Sequence, residues 1–146
     1  MIWRDLSEEE AERLAEACTG FDPFRHLGYR AATLFDYFTR PDRSLDRYAI
    51  EMNGVFCGAI CLRTPWLRGP FLETLALLPE MQRTGIGSRA VIRAQSEAGR
   101  NLWTTVSAFH REARNFYERL GFVEVAPLTG LIHADEDEIL LRWQRG

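Results

Sequence analysis

Lysine is absent from this chain: all 18 of its basic residues are arginines, against 21 acidic residues in a length of 146. A lysine Schiff base, a pyridoxal-phosphate lysine and the phosphate-binding lysine of a P-loop are therefore excluded. Arginine stays protonated in proteins, so histidine is the only basic side chain that can accept a proton near neutral pH. Of the three histidines, we expect His26 and His133 at the surface or in substrate loops, and His110 is considered below.

Long apolar runs are also missing, and none approaches the ~18 residues that a membrane span requires. The N-terminus turns acidic at Glu8–Glu10, which is atypical of a signal or transit peptide. The net charge of −3 argues against nonspecific nucleic-acid binding, which needs a basic surface. These absences predict a cytoplasmic protein with neither a membrane nor a nucleic acid as its partner.

Cysteine is scarce, with only Cys18, Cys57 and Cys61, and their spacing does not match a metal site. Cys57 and Cys61 lie four residues apart in a predicted strand, which separates them by about 13 Å at ~3.3 Å per residue. That distance is too great for a disulfide between them. We therefore expect buried free thiols in a reducing compartment and no bound metal.

A composition of 46% hydrophobic and 12% aromatic residues supports a packed core, and the length indicates one domain over residues 1–146. The hydrophobic pattern predicts the order α-α-β-β-β-α-β-α-β-β, with a short first strand at Ile2–Arg4. This is an α/β domain with a mixed sheet. The six longer predicted strands are Arg47–Met52, Val55–Leu62, Phe71–Leu78, Leu102–Ala108, Phe122–Val125 and Glu138–Trp143.

Several short signals set the limits of these elements. Ser7 with Glu10 forms a capping box for a helix that ends at Gly20. Asn53-Gly54 favours a type I′ hairpin turn. Pro65 and Gly69-Pro70 indicate a loop before the third long strand. Two later helices are expected, one up to about Ala98 and one over Glu112–Leu120.

A glycine-rich loop follows the strand Phe71–Leu78. Gly85-Ile86-Gly87-Ser88-Arg89-Ala90 fits the dinucleotide pattern G-x-G-x-x-A. A dinucleotide-binding oxidoreductase needs the first glycine directly after the strand and an acidic residue about 20 residues later. Here six residues separate the strand from Gly85, and the next strand ends in Ala108-Phe109-His110 without an acid. The dinucleotide interpretation is disfavoured.

The loop has a simpler physical use. Its two glycines let the backbone turn so that the N–H groups from Arg83 to Ser88 converge on one anion, and the following helix adds its positive end. Such a site suits a pyrophosphate without any lysine. The alternative is a glycine-rich start of a helix that binds no ligand.

Two sequence blocks resemble the GNAT superfamily of N-acetyltransferases. The segment Ala76–Gly87 contains the form Q/R-x-x-G-x-G/A at Gln82-Arg83-Thr84-Gly85-Ile86-Gly87, after a hydrophobic strand. The segment Ala113–Phe122 is similar to the family's A-x-x-x-Y-E-x-x-G-F helix and strand. The resemblance covers roughly Phe71–Val125. It implies a mixed, mostly antiparallel, twisted sheet of 6–7 strands with helices on both faces and one splayed parallel strand pair at the cofactor site.

The resemblance also implies acetyl-CoA as co-substrate, held between the strands Phe71–Leu78 and Leu102–Ala108. Backbone groups near Leu75 and Leu77 would bind the pantetheine arm and polarise the thioester carbonyl. The cofactor-binding residues that it implies are Leu75, Leu77, Gln82, Arg83, Thr84, Gly85, Ile86, Gly87, Ser88, His110 and Tyr117.

Tyr117 matches the family's tyrosine near the cofactor sulfur, where a phenol can hand a proton to the leaving thiolate. The alternative is a core residue whose hydroxyl needs a partner. Glu73 is the candidate general base, directly or through water, and its alternative is an ion pair with Arg63 or Arg68. His110 stands where the family commonly has an asparagine that bonds the pantetheine arm. A histidine can donate the same bond or titrate as a base.

The acceptor is expected in the segments that resemble the family least: Phe21–Arg40, Thr64–Pro70 and Ala126–Asp137. The aromatic residues of the first segment either line an apolar pocket or pack as a helix, and Asp135-Glu136-Asp137 either attracts a cationic amine or forms a solvated loop. The implied function is acetyl transfer by direct attack of a primary amine, on a small molecule, an amino acid or a peptide N-terminus. A catalytically silent CoA-binding sensor or interaction module is the alternative, and the protein is expected to be a monomer or homodimer.

Overall fold

The computed structural model describes residues 1–146, which form seven strands, five α-helices and a short 3-10 turn at Pro79–Met81. The strands are β1 (Ile2–Asp5), β2 (Leu45–Met52), β3 (Val55–Trp66), β4 (Gly69–Leu77), β5 (Asn101–Ser107), β6 (Val123–Thr129) and β7 (Asp137–Gln144). The helices are α1 (Glu8–Cys18), α2 (Phe24–Leu27), α3 (Ala31–Thr39), α4 (Ile86–Glu97) and α5 (Arg111–Arg119).

The strands form one mixed sheet in the order β1-β2-β3-β4-β5-β7-β6. β4 and β5 are parallel, whereas β1 with β2, β5 with β7 and β6 with β7 are antiparallel. This confirms the predicted α/β class and the mixed sheet. None of the helices is both long and apolar enough to span a membrane.

The chain divides into two compact units. The first contains Met1–Leu62 and Thr74–Gly87, and the second contains Arg63–Glu73 and Ser88–Gly146. The single domain predicted for residues 1–146 stays a prediction.

In the first unit, α1 begins at the predicted capping box. The Ser7 hydroxyl accepts from the Glu10 backbone N–H at 3.1 Å, and the Glu10 carboxylate accepts from the Ser7 N–H at the same distance. Arg4 of β1 binds both oxygens of the Glu10 carboxylate, at 2.8 and 2.7 Å. The capping bonds satisfy backbone donors at the start of the helix, and the Arg4 bonds hold α1 against the first strand.

Helices α1 and α3 pack on the core of this unit, in which Leu14, Phe38, Ala59 and Ala76 are all buried. The aromatic residues of the predicted acceptor segment, Phe24, Tyr29 and Phe35, are partly buried against the same core. Core packing is therefore their observed role. Cys18, Cys57 and Cys61 are buried and form no disulfide, as predicted.

Gly58 allows β3 and β4 to approach closely. Its φ is +153°, and a Cβ built on it would lie 2.1 Å from the Ala76 carbonyl oxygen. Any larger residue would force the two strands apart. Directly beyond, the Leu78 N–H donates to the Cys57 carbonyl at 2.9 Å, so the end of β4 is fixed before the glycine-rich loop begins.

The predicted hairpin turn at Asn53-Gly54 is confirmed, because both residues have positive φ, 53° and 79°. The predicted loop at Thr64–Pro70 is wrong. β3 continues through Pro65 to Trp66, and β4 begins at Gly69. The reason is aromatic packing: the Trp66 ring stacks on Phe71 with ring centroids 4.8 Å apart, which holds both strands together beyond the proline.

The first unit contains three helices, α1 to α3, before the first long strand, whereas the predicted order has two. The second unit deviates from the prediction also at the end of β6. β6 runs to Thr129 rather than Val125, so Ala126–Asp137 begins as a strand, and the loop is confined to residues 130–136. β6 stays paired with β7 along this length, with a register shift between Glu124 and Ala126. A bulge of this kind interrupts the alternating pattern by which the strand would be read from sequence.

Candidate active site

The parallel ladder between β4 and β5 is short. It consists of Phe71 paired with Trp103 and Leu72 paired with Thr104, although β4 continues to Leu77 and β5 to Ser107. Gly69 is the first residue of β4, two residues before the ladder, and a Cβ built on it would lie 2.2 Å from the Asn101 carbonyl oxygen. The short ladder agrees with the splayed parallel strand pair that the family resemblance implies.

Tyr117 is buried on α5, with 7% of its surface exposed, and its hydroxyl has the Thr104 hydroxyl as hydrogen-bond partner. Thr104 itself donates to the Leu72 carbonyl at 2.8 Å. A threonine hydroxyl carries one hydrogen and a carbonyl can only accept, so Tyr117 is the donor toward Thr104. Burial raises the pKa of Tyr117 to about 12. The phenol therefore stays protonated at neutral pH.

Glu73 is engaged in a two-point ion pair. Arg63 donates from Nε to one carboxylate oxygen at 2.7 Å and from Nη2 to the other at 2.9 Å. The Arg63 and Glu73 side chains are both partly buried, with 28% and 23% of their surface exposed. Of the two roles weighed for Glu73, the structure displays the ion pair, with Arg63 as the partner. Its role as a base stays a prediction.

The last residues of β4 lead into the glycine-rich loop. Leu75 and Leu77 are half-buried, and Ala76 between them points into the core. The Leu77 carbonyl accepts from the Gln82 side-chain amide at 3.1 Å. Gln82 thus fastens the loop to the end of the strand, a role that its place in the sequence motif did not indicate.

The loop itself contains two residues in the left-handed region, Arg83 at φ 60° and Gly85 at φ 88°. The Thr84 hydroxyl donates to the Met81 carbonyl at 2.6 Å and closes the turn. α4 begins at Ile86, directly after this turn. A Cβ on Gly85 would meet nothing within 4 Å, so the space beside the loop is open. N–H groups in the first turn of a helix lack partners within the helix, and such groups are the donors that anion sites use.

His110 is the N-cap residue of α5 but makes no capping bond with its side chain. Its backbone N–H donates to the Ser107 carbonyl at 2.9 Å, and its half-buried ring stacks against Phe109 with centroids 6.2 Å apart. The imidazole thus lies three residues beyond the end of β5, at the start of the helix that carries Tyr117.

The sequence model of the acetyltransferase (GNAT) family matches residues 4–122. The chain belongs to the GNAT family. Among curated proteins, none matches the chain.

Solved structures of several acetyltransferases have the same fold. An acetyltransferase from Thermus thermophilus is 15% identical, with a TM-score of 0.77 over 99% of this chain and 96% of that one. The ribosomal-protein-S18-alanine N-acetyltransferase from Escherichia coli is 18% identical, with a TM-score of 0.70 over 98% and 92%. An aminoglycoside 6′-N-acetyltransferase complexed with coenzyme A is 16% identical, with a TM-score of 0.69 over 99% and 97%.

The GNAT site residues predicted from sequence are divided between the two units. Leu75, Leu77 and the loop Gln82–Gly87 belong to the first unit. Glu73, Ser88, His110 and Tyr117 belong to the second. Within its unit, the loop forms one continuous turn with the end of β4, and Tyr117 is joined to the parallel ladder through Thr104.

One buried residue of this GNAT domain, Glu138 on β7, is not among the site residues predicted from the sequence. It is 6% exposed, lies opposite Ser107 in the β5–β7 pairing, and accepts from the Ser107 hydroxyl at 2.7 Å. Burial raises the pKa of the Glu138 carboxyl, the Ser107 bond partly offsets this, and Glu136 raises it further. The only local signal was an acidic residue beginning an apolar strand, which is also typical of a solvated strand end.

Proposed function

We propose that this GNAT protein transfers an acetyl group from acetyl-CoA to a primary amine. The observation that carries the proposal is the turn before α4, in which two left-handed residues, one of them the open Gly85, precede the start of a helix. The structural neighbours named as acetyltransferases, one of them in complex with coenzyme A, support the same activity.

The loop would hold the pyrophosphate of the co-substrate. Backbone N–H groups from Arg83 to Ser88 would donate to its oxygens, and the positive end of α4 would add its partial charge. The open space at Gly85 leaves room for a phosphate close to the backbone. Since backbone groups supply these donors, the absence of lysine from the chain is no obstacle.

Bound acetyl-CoA would supply a thioester whose carbonyl carbon an amine can attack directly. The backbone of β4 around Leu75 and Leu77 would bind the pantetheine arm and polarise the thioester carbonyl. His110, in place of the family's asparagine, would donate a hydrogen bond to that arm. These assignments follow the family resemblance, residue by residue.

Tyr117 would supply the proton that the leaving thiolate takes up. Its raised pKa keeps the phenol protonated in the resting protein, where its hydrogen points to Thr104. Rotation about the bond between ring and oxygen would redirect that hydrogen without moving the ring. A thiolate with a pKa near ~8.5 leaves tolerably unaided, so Tyr117 would accelerate the reaction rather than make it possible.

The acceptor would be a primary amine on a small molecule, an amino acid or a peptide N-terminus. Neighbours of the same fold are named for acceptors as different as an aminoglycoside and the alanine of a ribosomal protein. A panel of amines that includes all three classes is therefore required.

The test begins with thermal unfolding in the presence of acetyl-CoA, CoA and NADP. At 100 times the Kd, a ligand should stabilise the protein by about 2.7 kcal/mol, and we expect this of both CoA forms but not of NADP. Absence of a shift with either CoA form would exclude the proposed function. Release of free thiol with an amine panel then separates an enzyme from a CoA-binding sensor, because a sensor would be stabilised by CoA and release none.

A further inference from the structure

The end of β4 presents one free backbone edge in the first unit. The N–H of Leu78, which follows the strand directly, donates to the Cys57 carbonyl of β3 at 2.9 Å. A trans peptide directs its C=O opposite to its N–H, so the Leu77 carbonyl of the same peptide points away from β3. This carbonyl is therefore the last acceptor on the edge of β4 that β3 leaves free.

The residue before Leu77 points the other way. The Ala76 carbonyl faces β3, since a Cβ built on Gly58 would lie 2.1 Å from its oxygen. The backbone groups of successive residues in a strand alternate in direction, so those of Leu75 and Leu77 share the free edge. These are the two residues whose backbone is proposed to bind the pantetheine arm. The Leu77 carbonyl thus belongs to the edge along which the arm would lie.

Gln82 occupies this carbonyl. Its side-chain amide donates to the Leu77 oxygen at 3.1 Å, and the side chain is half-buried. Between the two residues the chain reverses in the 3-10 turn, where the Met81 N–H donates to the Leu78 carbonyl at 2.8 Å. The Gln82 N–H donates to the Pro79 carbonyl at 3.3 Å. The turn therefore returns the Gln82 side chain to the free edge of β4.

The exposed part of the glycine-rich loop begins directly after Gln82. Arg83, Thr84 and Gly85 are all exposed, and the Thr84 hydroxyl closes the turn on the Met81 carbonyl at 2.6 Å. Gln82 thus stands between two parts of the proposed site, the loop that would hold a diphosphate and the strand edge that would hold the arm.

We propose that Gln82 is a positioning residue, which fixes the spacing between the glycine-rich loop and the free edge of β4 through the Leu77 carbonyl. This role rests on the proposed function, because it needs a ligand that spans both parts. CoA is such a ligand, since its diphosphate and its pantetheine arm belong to one molecule. Two joined groups bind with their combined affinity only where their sites lie at the distance that the link between them allows.

A fixed spacing also lowers the entropy that binding costs, because loop and strand are already ordered relative to each other. Without the Gln82 bond, each part could still bind its own half of the ligand. The two parts would no longer be held at the spacing that the whole ligand requires. The loss should therefore appear with CoA and not with its halves.

The test compares CoA with two half-ligands, ADP for the loop and pantetheine for the strand edge. Calorimetric titration gives the Kd of CoA, and NMR titration gives the Kd values of the weaker halves. The product of the two half-ligand Kd values, divided by the Kd of CoA, is here called the linkage factor. It measures how well the two parts are placed for one ligand, independently of how tightly either part binds.

Gln82→Met removes the donor and keeps the length of the side chain. We expect it to lower the linkage factor about 3- to 10-fold, the effect of one ordinary hydrogen bond, with the Kd of ADP and of pantetheine unchanged. Gln82→Asn withdraws the amide by one methylene group and should give the same result, also where Gln82→Met fails to fold. Gln82→Arg keeps a donor and should restore the linkage factor, whatever its charge adds to the affinity for ADP.

Gln95→Met is the matched control. Gln95 of α4 also donates its side-chain amide to a backbone carbonyl, that of Leu120, at 2.8 Å. Its replacement should lower Tm, as the replacement of Gln82 does, because a buried carbonyl loses its donor. The linkage factor should stay at the wild-type value. An equal fall of this factor in Gln95→Met and Gln82→Met would show general loosening of the fold and overturn the inference.

Three further results would overturn the positioning role. A rise in the Kd of ADP or of pantetheine that accounts for the whole loss with CoA would assign Gln82 to direct contact with that half. A linkage factor that Gln82→Arg leaves low would show that the donor is not what matters. A wild type that binds CoA, with a Gln82→Met variant of unchanged linkage factor, overturns this inference alone. A wild type that binds neither CoA nor its halves overturns the proposed function as well.

Discussion

The Thr104 hydroxyl donates a 2.8 Å hydrogen bond to the Leu72 carbonyl, across the second residue pair of the parallel ladder. This bond consumes the only hydrogen of Thr104 and leaves its oxygen to accept from Tyr117. A phenol on α5 is thereby connected through one side chain to the backbone of β4. The position of the Tyr117 hydroxyl thus depends on the ladder as well as on its own helix.

Replacing Tyr117 with phenylalanine should slow turnover by about 10²-fold or less without abolishing it, since the thiolate leaves tolerably without a proton donor. The measurement is kcat for thiol release at saturating acetyl-CoA. Tyr48→Phe is the matched control, because Tyr48 stacks on Trp3 of β1 and has no proposed catalytic role. Wild-type kcat in Tyr117→Phe would remove this tyrosine from the mechanism.

Replacing Thr104 with valine keeps the shape of the side chain but leaves the Tyr117 hydroxyl and the Leu72 carbonyl without their partner. We expect a loss of about 1–3 kcal/mol in the free energy of unfolding, since buried polar groups are left unsatisfied. Thr104→Ser should retain most of the stability and the activity. Denaturant unfolding measures the first effect.

The same substitution tests the link to Tyr117 by a double-mutant cycle. If Thr104 acts on turnover through the phenol, Thr104→Val should lower kcat in the wild type and have no further effect on kcat in Tyr117→Phe. Equal losses in both backgrounds would show that Thr104 affects turnover independently of Tyr117.

Replacing Gly85 with alanine should weaken CoA binding, because the new Cβ would occupy the open space beside the loop and strain a residue at φ 88°. Gly99→Ala is a close control: Gly99 has φ 73°, and its Cβ would likewise meet nothing within 4 Å. Both variants should lose about 1–2 kcal/mol of stability from the left-handed conformation. Only Gly85→Ala should raise the Kd for CoA in a calorimetric titration. An equal rise in both would indicate general destabilisation.

Stability in acid should depend on the pair of Arg4 and Glu10. Hydrogen bonds from Arg4 lower the pKa of Glu10 to about 2 in the folded chain, against about 4.3 in an unfolded one. The stabilisation of the folded chain by this ion pair is therefore complete above pH 4.3, and it is lost as the pH falls to about 2. In Glu10→Gln, Tm should fall less steeply than in the wild type as the pH is lowered through this interval. Thermal unfolding at a series of pH values measures this.

Glutamine at position 10 still supports the capping box, so the change in acid response isolates the charge from the cap. Glu9→Gln removes the same charge from an exposed position and should leave the fall of Tm as it is in the wild type. A Glu10→Gln profile parallel to that of the wild type would contradict the prediction.

Features that depend on neighbouring residues could be predicted from the sequence. The capping box at Ser7 and the hairpin turn at Asn53-Gly54 each need only a few consecutive residues, and both are present. The family motifs likewise located the turn before α4. The hydrogen bond from the Gln82 side chain to the Leu77 carbonyl is also a local feature of this turn, but the motif alone did not indicate it.

Features that depend on strand pairing could not be predicted in this way. Ser107 and Glu138 are 31 residues apart, and only the register of β5 with β7 brings them together. The extension of β3 through Pro65 depends on Trp66 meeting Phe71 across a turn. A proline normally signals the end of a strand, and the aromatic contact that outweighs it has no local signature.

The aromatic packing at the start of the ladder has a practical value for spectroscopy. The rings of Trp66 and Trp103 lie 5.5 Å apart at an interplanar angle of 63°, and the Trp103 indole N–H donates to the Leu67 carbonyl at 2.8 Å. Two indoles this close couple their electronic transitions, and the coupling depends on their separation and orientation. Near-ultraviolet circular dichroism can therefore follow the paired end of the ladder with no added label, and Trp66→Phe would identify the signal that belongs to this pair.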